Sequence, residues 1–209
     1  QVLRDPQIIS GFAYENPVDE LPELTHCGEA LCCAGHFLTP HAHTGFEFLY
    51  LSRGTATWRA ADQTTEQRMG DLYIAYPRES HGTGTKRNPE NQHLWLGLDL
   101  AKLSPEGRRL ATRLKREQPR LVPGCDEVEP VLRSLMRQIV TPRARRTEAI
   151  TACLQMFVTL LEQRLDMLAL GEGAQPDPHL PYSYGVEKAV AFLRQNLQCR
   201  LPLSDLAAV

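Results

Sequence analysis

The stretch Gly35-His-Phe-Leu-Thr-Pro-His41-Ala-His43-Thr-Gly-Phe-Glu47, followed by Gly54, is the most informative segment of this chain. Side chains on an extended strand alternate faces, so His41 and His43, two apart, point to one side. Glu47 lies four further on, an even offset that keeps it on that side where the strand continues. A bulge or turn at Thr44-Gly45 would change the alignment. Imidazole and carboxylate together suit Zn, Fe, Mn, Ni or Cu, and two histidines with a carboxylate also make the facial triad of non-haem iron oxygenases. A second piece, Gly70-Asp-Leu-Tyr-Ile-Ala-Tyr-Pro77-Arg-Glu-Ser-His81, reads as a tight turn, a strand ended by Pro77, and a histidine opening the next strand.

Around these pieces the chain changes character near residue 100. Before it, the runs Ile8–Ala13, Leu31–Leu38, Phe46–Arg53, Thr55–Arg59, Leu72–Tyr76 and Gln92–Asp99 are short and rich in aliphatic and aromatic residues, as strands are. Apolar residues occupy both faces of Phe46–Leu51, which predicts a strand buried on two sides. Many short strands with regular turns point to a barrel or sandwich. After residue 100 the period is helical. Pro105–Arg116 forms one helix and Glu127–Val140 a second. A third carries Ile150, Leu154, Phe157, Val158, Leu161, Leu165 and Leu168 on one face, with Thr141 as its N-cap and Pro142 in its first turn. Gly171–Pro181 reads as a linker. Val186–Leu197 and Leu203–Val209 are two further helical segments.

The spacing of His41, His43, Glu47 and Gly54 after Gly35 is similar to the first cupin motif, and Gly70 through Pro77 to His81 resembles the second. The resemblance implies a small barrel with the two motifs on adjacent strands, and His41, His43, Glu47 and His81 as ligands of a divalent transition metal (Zn, Ni, Fe or Mn) in its interior. The second motif departs from the family: Glu79 replaces the usual glycine, His81 is one residue closer to Pro77, and no asparagine follows at the usual distance. Many cupin-like sensor domains use the interior for an organic ligand instead. Tyr50, Tyr73, His93 and Trp95 are the candidate ligand contacts, while His26 and His36 are lesser metal candidates. His36 falls on the opposite pleat from His41 and reads as a surface or satisfied residue.

Residues 184–209, with a first helix, a polar turn containing Asn196, and Leu203-x-x-Leu206-Ala207, resemble the start of an AraC/XylS-type DNA-binding domain. The implied layout is α+β. A cupin-like antiparallel jelly-roll barrel spans 1–100 and a helical linker and dimerisation region spans 101–170. A flexible linker follows at 171–182, and a truncated helix-turn-helix domain at 183–209. The recognition helix would follow Val209, so DNA is contacted only through that missing part. The resemblance also implies a two-fold dimer through Ile150, Leu154, Phe157, Leu161 and Leu165.

The net charge of −2 argues against a surface built throughout for nucleic acid. No apolar run approaches the roughly 20 residues that cross a bilayer. Six cysteines without paired CxxC spacing fit reduced thiols in a cytoplasmic protein better than disulfides or a zinc knuckle. The expected function is a ligand- or metal-responsive transcription regulator without enzymatic activity, this chain being its effector-sensing and dimerising part. The alternative is a metal-dependent cupin dioxygenase or isomerase, which would have no need of residues 184–209.

Overall fold

The computed structural model describes residues 5–84 and 87–171. The expected linker from residue 172 onward and the helix-turn-helix start at 183–209 lie outside the described residues. Among the described residues, nine strands and four helices follow in order. The strands are β1 (Ile8–Glu15), β2 (Leu24–Cys32), β3 (Phe46–Arg53), β4 (Thr55–Ala60), β5 (Gln63–Arg68), β6 (Leu72–Ala75), β7 (His81–Gly82), β8 (Asn91–Leu98) and β9 (Leu121–Val122). The helices are α1 (Leu100–Leu103), α2 (Pro105–Glu117), α3 (Val128–Val140) and α4 (Arg146–Ala169), with β9 lying between α2 and α3.

Every strand pairing is antiparallel. One sheet has the order β1-β2-β8-β3-β6-β9 and a smaller one β5-β4-β7. β3 shows how the layers are built. Its even residues Phe46, Phe48 and Tyr50 join Leu72, Ile74, Leu94, Leu96 and Leu98 in a core shared with α3 and α4. Its odd residues Leu49 and Leu51 pack with Tyr73, Ala75, Ala56 and Trp58 between the two sheets. The strand is thus buried on both faces, as the apolar residues on both of them predict. The α+β architecture of an antiparallel cupin-like barrel with a helical layer is the one expected.

Three local expectations are corrected, and one strand that the sequence did not signal is added. The strand placed at Leu31–Leu38 ends at Cys32 and begins at Leu24 instead. Gly35, at φ 89°, turns the chain away, a conformation that costs glycine little. The polar strand β5 had no apolar alternation to reveal it. His41 and His43 lie outside the strands, on an extended segment that meets β7 at a single bridge, His41 to His81. Thr141 closes α3 by donating its backbone N–H to Arg137 O, and α4 starts only after Arg145, at φ 61°.

α2 begins where the sequence places it, with Ser104 Oγ accepting from Gly107 N and Pro105 in the first turn. α4 buries Ile150, Leu154, Phe157 and Leu161 completely and leaves Leu165 5% exposed. Phe157 meets the Phe48 ring edge-on at 5.0 Å. The five residues expected at a dimer contact therefore hold α4 onto its own sheet. A stripe that is fully covered within one protomer has no area left for a second copy. No described helix is long and apolar enough to cross a membrane.

Candidate metal centre and ligand cavity

Backbone register brings the cluster together. His41 N donates to His81 O at 3.0 Å and His81 N to His41 O at 2.9 Å, so two segments forty residues apart face each other directly. Gly82 permits this approach, because a Cβ there would lie 2.7 Å from Leu38 O. Pro40 keeps Thr39 extended. Glu47, at an odd position of β3, points inward beside them. One donor atom from each of His41, His43, Glu47 and His81 lies within 4.8 Å of the others.

The histidine tautomers follow from their partners. His41 Nδ1 sits 2.9 Å from Thr39 O, and His81 Nδ1 3.0 Å from Glu79 O. A carbonyl only accepts, so both Nδ1 atoms carry protons and both Nε2 atoms are left for the cluster. Backbone carbonyls orient metal-bound histidines in this way. His81 Nε2 lies 2.6 Å from Glu47 Oε2. Burial disfavours the charged form of His81, but the Glu47 hydrogen bond and charge outweigh it and raise its pKa. Burial likewise opposes the Glu47 carboxylate, yet hydrogen bonds from His26 and His81 hold it far below the usual carboxylate range. Without a metal the two groups thus favour each other's charged forms, imidazolium on His81 and carboxylate on Glu47. His43, 3.6 Å from Glu47 Oε1, is lowered to about 4, chiefly by burial and also by the neighbouring histidines. Three neutral-capable imidazoles and one anionic oxygen, each already oriented, fit a divalent transition metal.

His26, a lesser candidate in the sequence, belongs to this centre. Its Nε2 lies 3.0 Å from Glu47 Oε1, its Nδ1 3.0 Å from Thr25 Oγ1, and its ring stacks on His43 at 4.0 Å. Directly across the ladder, His26 faces Gly97 and Gly28 faces Trp95. A Cβ on Gly97 would come within 2.0 Å of the His26 ring, and one on Gly28 within 2.1 Å of the Trp95 ring. Each glycine makes room for an aromatic ring lying flat across it, a use of strand glycine that sequence can signal. Gly97→Ala is therefore expected to push His26 off Glu47 while the fold persists. Loss of the His26-to-Glu47 hydrogen bond in imidazole NMR spectra is the check, and an unmoved His26 signal would contradict it.

The cluster closes one side of a cavity of about 390 Å³ walled by Leu49, Trp58, Trp95, Phe37 and Leu38. Among the described residues no lysine or arginine lines it. Of the four expected ligand contacts, His93 and Trp95 line the cavity. Tyr50 does not: its even position turns it to the helical side, where its hydroxyl donates to Glu129 Oε2 at 3.1 Å. Tyr73 is on the inner face but stacks behind Trp58 at 5.5 Å, so Trp58 stands at the wall in its place. His36 is the satisfied residue of the two readings given for it: it is buried, its Nδ1 donates to Cys33 O at 3.1 Å, and it too lines the cavity.

His93 has a fixed tautomer. Asn91 Nδ2 donates to Thr55 O and Pro89 O, each at 3.3 Å, so Asn91 Oδ1 is an acceptor and His93 Nδ1, 3.2 Å away, donates to it. Burial lowers the His93 pKa to about 4. Its unfolded value is near 6.5. Between those values the unfolded chain binds the extra proton, so this group's contribution to stability is intact above pH 6.5 and lost as pH falls toward 4. His93→Phe is expected to flatten the fall in melting temperature over that window; an unchanged slope would contradict the assignment.

A histidine–glutamate cluster opening onto an apolar cavity between two antiparallel sheets is the arrangement of a cupin-type ligand-binding domain. The chain belongs to the AraC-like ligand binding domain family, whose model matches residues 23–172. Among solved structures it is similar to the AraC-like transcriptional activator CuxR, at TM-score 0.51 and 12% identity over 94% of this chain and 67% of that one. It is also similar to an oxalate decarboxylase of B. subtilis, at TM-score 0.39 and 12% identity over 55% and 34%. KdgF from Halomonas sp. aligns at TM-score 0.36 and 17% identity over 46% and 86%. The chain spans about a third of the length of that oxalate decarboxylase. No curated protein matches the sequence.

Proposed function

We propose that this chain is the effector-sensing part of a cytoplasmic AraC-type transcription regulator that binds its effector rather than transforming it. The observation that carries this reading is the cavity itself: aromatic and aliphatic walls, with His41, His43 and Glu47 in its lining and His81 joined to them in one cluster, in a domain of this family. Pockets for small molecules are mainly apolar with a few convergent polar groups. A metal held by those four residues would supply a positive coordination point for a donor atom of the effector. Trp58 and Trp95 would hold its apolar body. The resemblance of residues 184–209 to a helix-turn-helix start supports DNA as the output. An effector shifts that output only by its difference in affinity between two arrangements of the protein. The test is titration of candidate effectors against the complete regulator on its promoter DNA. A change in DNA affinity that disappears when Leu49→Trp fills the cavity supports the reading; turnover of the bound compound would overturn it.

The regulator is proposed to act as a dimer through α4, on a face other than the buried one. Ala149, Cys153, Met156, Leu160, Gln163, Met167 and Leu170 recur at alternating steps of four and three, the spacing of a coiled-coil seam. Met156 is 51% exposed and Leu170 73%. Such a stripe is self-complementary, as a two-fold contact requires. Met156→Glu is expected to convert the dimer to monomer in sedimentation with little loss of melting temperature; an unaltered dimer would rule this face out.

A further inference from the structure

The turn between β6 and β7, Tyr76–Ser80, delivers His81 to the cluster, and it is gripped from outside by the chain leaving α2. Arg120 Nη1 and Nη2 donate to the two carboxylate oxygens of Glu79 at 2.5 and 2.7 Å. Nη1 also donates to Ile74 O at 3.1 Å, and Arg120 O accepts from Ile74 N at 3.0 Å. Glu79 spends its remaining acceptors inside the turn. Its Oε2 accepts from Tyr76 N at 3.1 Å, and its backbone O accepts from His81 Nδ1 at 3.0 Å. The Tyr76 hydroxyl lies 3.2 Å from Leu114 O and 3.0 Å from Pro119 O, at the end of α2. Arg78, at φ 64°, sits in the left-handed region that favours glycine, so the turn relies on these contacts to hold it.

Arg120 also reaches the aromatic wall. Its guanidinium lies 6.0 Å from the Tyr73 ring centre, and Tyr73 stacks on Trp58, which lines the cavity. Arg120 Nε and Tyr73 Oη are both buried without a hydrogen-bond partner. Glu79 stands where the second cupin motif has glycine, so the grip depends on the residue by which this chain departs from the motif.

We propose that Arg120 is a positioning residue that sets His81 through Glu79 and couples the cavity to the helical layer. The coupling rests on the reading of His41, His43, Glu47 and His81 as a metal site. Occupancy that draws His81 inward pulls on Glu79 O, hence on the Glu79–Arg120 pair, hence on β9 and the end of α2. Arg120 touches neither the metal position nor the cavity, so its effect is indirect by geometry.

The test uses the full chain, cobalt(II) as probe, and amide hydrogen exchange. In the wild type, cobalt is expected to alter exchange at Arg120–Val122 by about tenfold. In Arg120→Met, cobalt affinity should fall by about the 10–100-fold typical of an outer-shell partner, and at saturating cobalt the exchange of Leu121 and Val122 should no longer respond. Arg120→Lys, which keeps one charged hydrogen bond, should recover part of both. Glu79→Gln, nearly isosteric, should reproduce Arg120→Met if that variant folds poorly. Wild-type cobalt binding together with unchanged affinity and response in both variants overturns the coupling and leaves the metal site standing. Wild-type protein that binds no cobalt overturns the metal reading and the coupling with it.

Discussion

Glu47→Gln is expected to abolish tight divalent-metal binding while leaving the fold in place. Glu47 is the only anionic member of the cluster, 4% exposed, and its two oxygens face His26 and His81 separately. Glutamine fills the same space but supplies no charge, and its amide nitrogen presents hydrogens to whichever ring it meets. Outer-shell losses around metal sites run to about 10–100-fold, so removal of a charged ligand should exceed that range. The readout is the melting temperature with and without metal. A ligand present at about 100 times its Kd stabilises by about 2.7 kcal/mol, which the wild type should show and Glu47→Gln should not. The metal-free variant carries a second signature. The depressed Glu47 carboxyl contributes stability above its unfolded pKa and loses it as pH falls. The raised His81 contributes below its unfolded pKa, near 6.5, and loses that contribution as pH rises. The metal-free wild type should thus be favoured by this pair most between about pH 4.5 and 6.5, and Glu47→Gln should lose that bulge. An identical metal-induced shift in both proteins would contradict the site.

Phe157→Ala is expected to cost about 3–5 kcal/mol of stability, the usual range for a large aromatic cut from a packed core. Phe157 is fully buried, meets Phe48 on β3, and lies in the cluster shared by α3, α4 and the larger sheet. A protein of this size loses roughly 2–4 °C in melting temperature per kcal/mol, so calorimetry should show a fall of about ten degrees. Met156, its neighbour in sequence, supplies the contrast. It is half exposed, so Met156→Ala should change monomer stability by less than about 0.5 kcal/mol. Equal small effects from both substitutions would mean that α4 does not rest on the sheet as described.

The sequence made these features unequally visible, for physical reasons. The motif residues could be read because their spacing fixes parity, and parity decides which side chains meet. β3 could be read because both of its faces are apolar. β2 could not: of its inward positions, His26 and Ala30 border the cavity and Gly28 makes room for the Trp95 ring, so the usual apolar alternation is missing. His26 was undervalued for the same reason, since only Gly97 across the ladder signals that a ring must lie there. Tyr50 and Tyr73 looked like ligand contacts because an aromatic on a strand is equally suited to either face. Only the register of β3 and the stacking on Trp58 separate them from Trp95. On α4, an apolar stripe says that a helix face is buried but not by what. The stripe with the larger residues went to the protomer's own core, and the stripe beside it is only partly covered, with Cys153 and Leu160 against that core and Met156 and Leu170 exposed.

The most direct measurement is X-ray absorption at the bound metal of protein purified without a histidine tag. His41, His43, His81 and Glu47 predict one metal per chain, with three imidazoles and one carboxylate oxygen at roughly 2.0–2.2 Å, the range for such ligands. Protein that takes up no metal, or a metal whose spectrum shows sulfur from Cys32 or fewer than three imidazoles, would contradict the account.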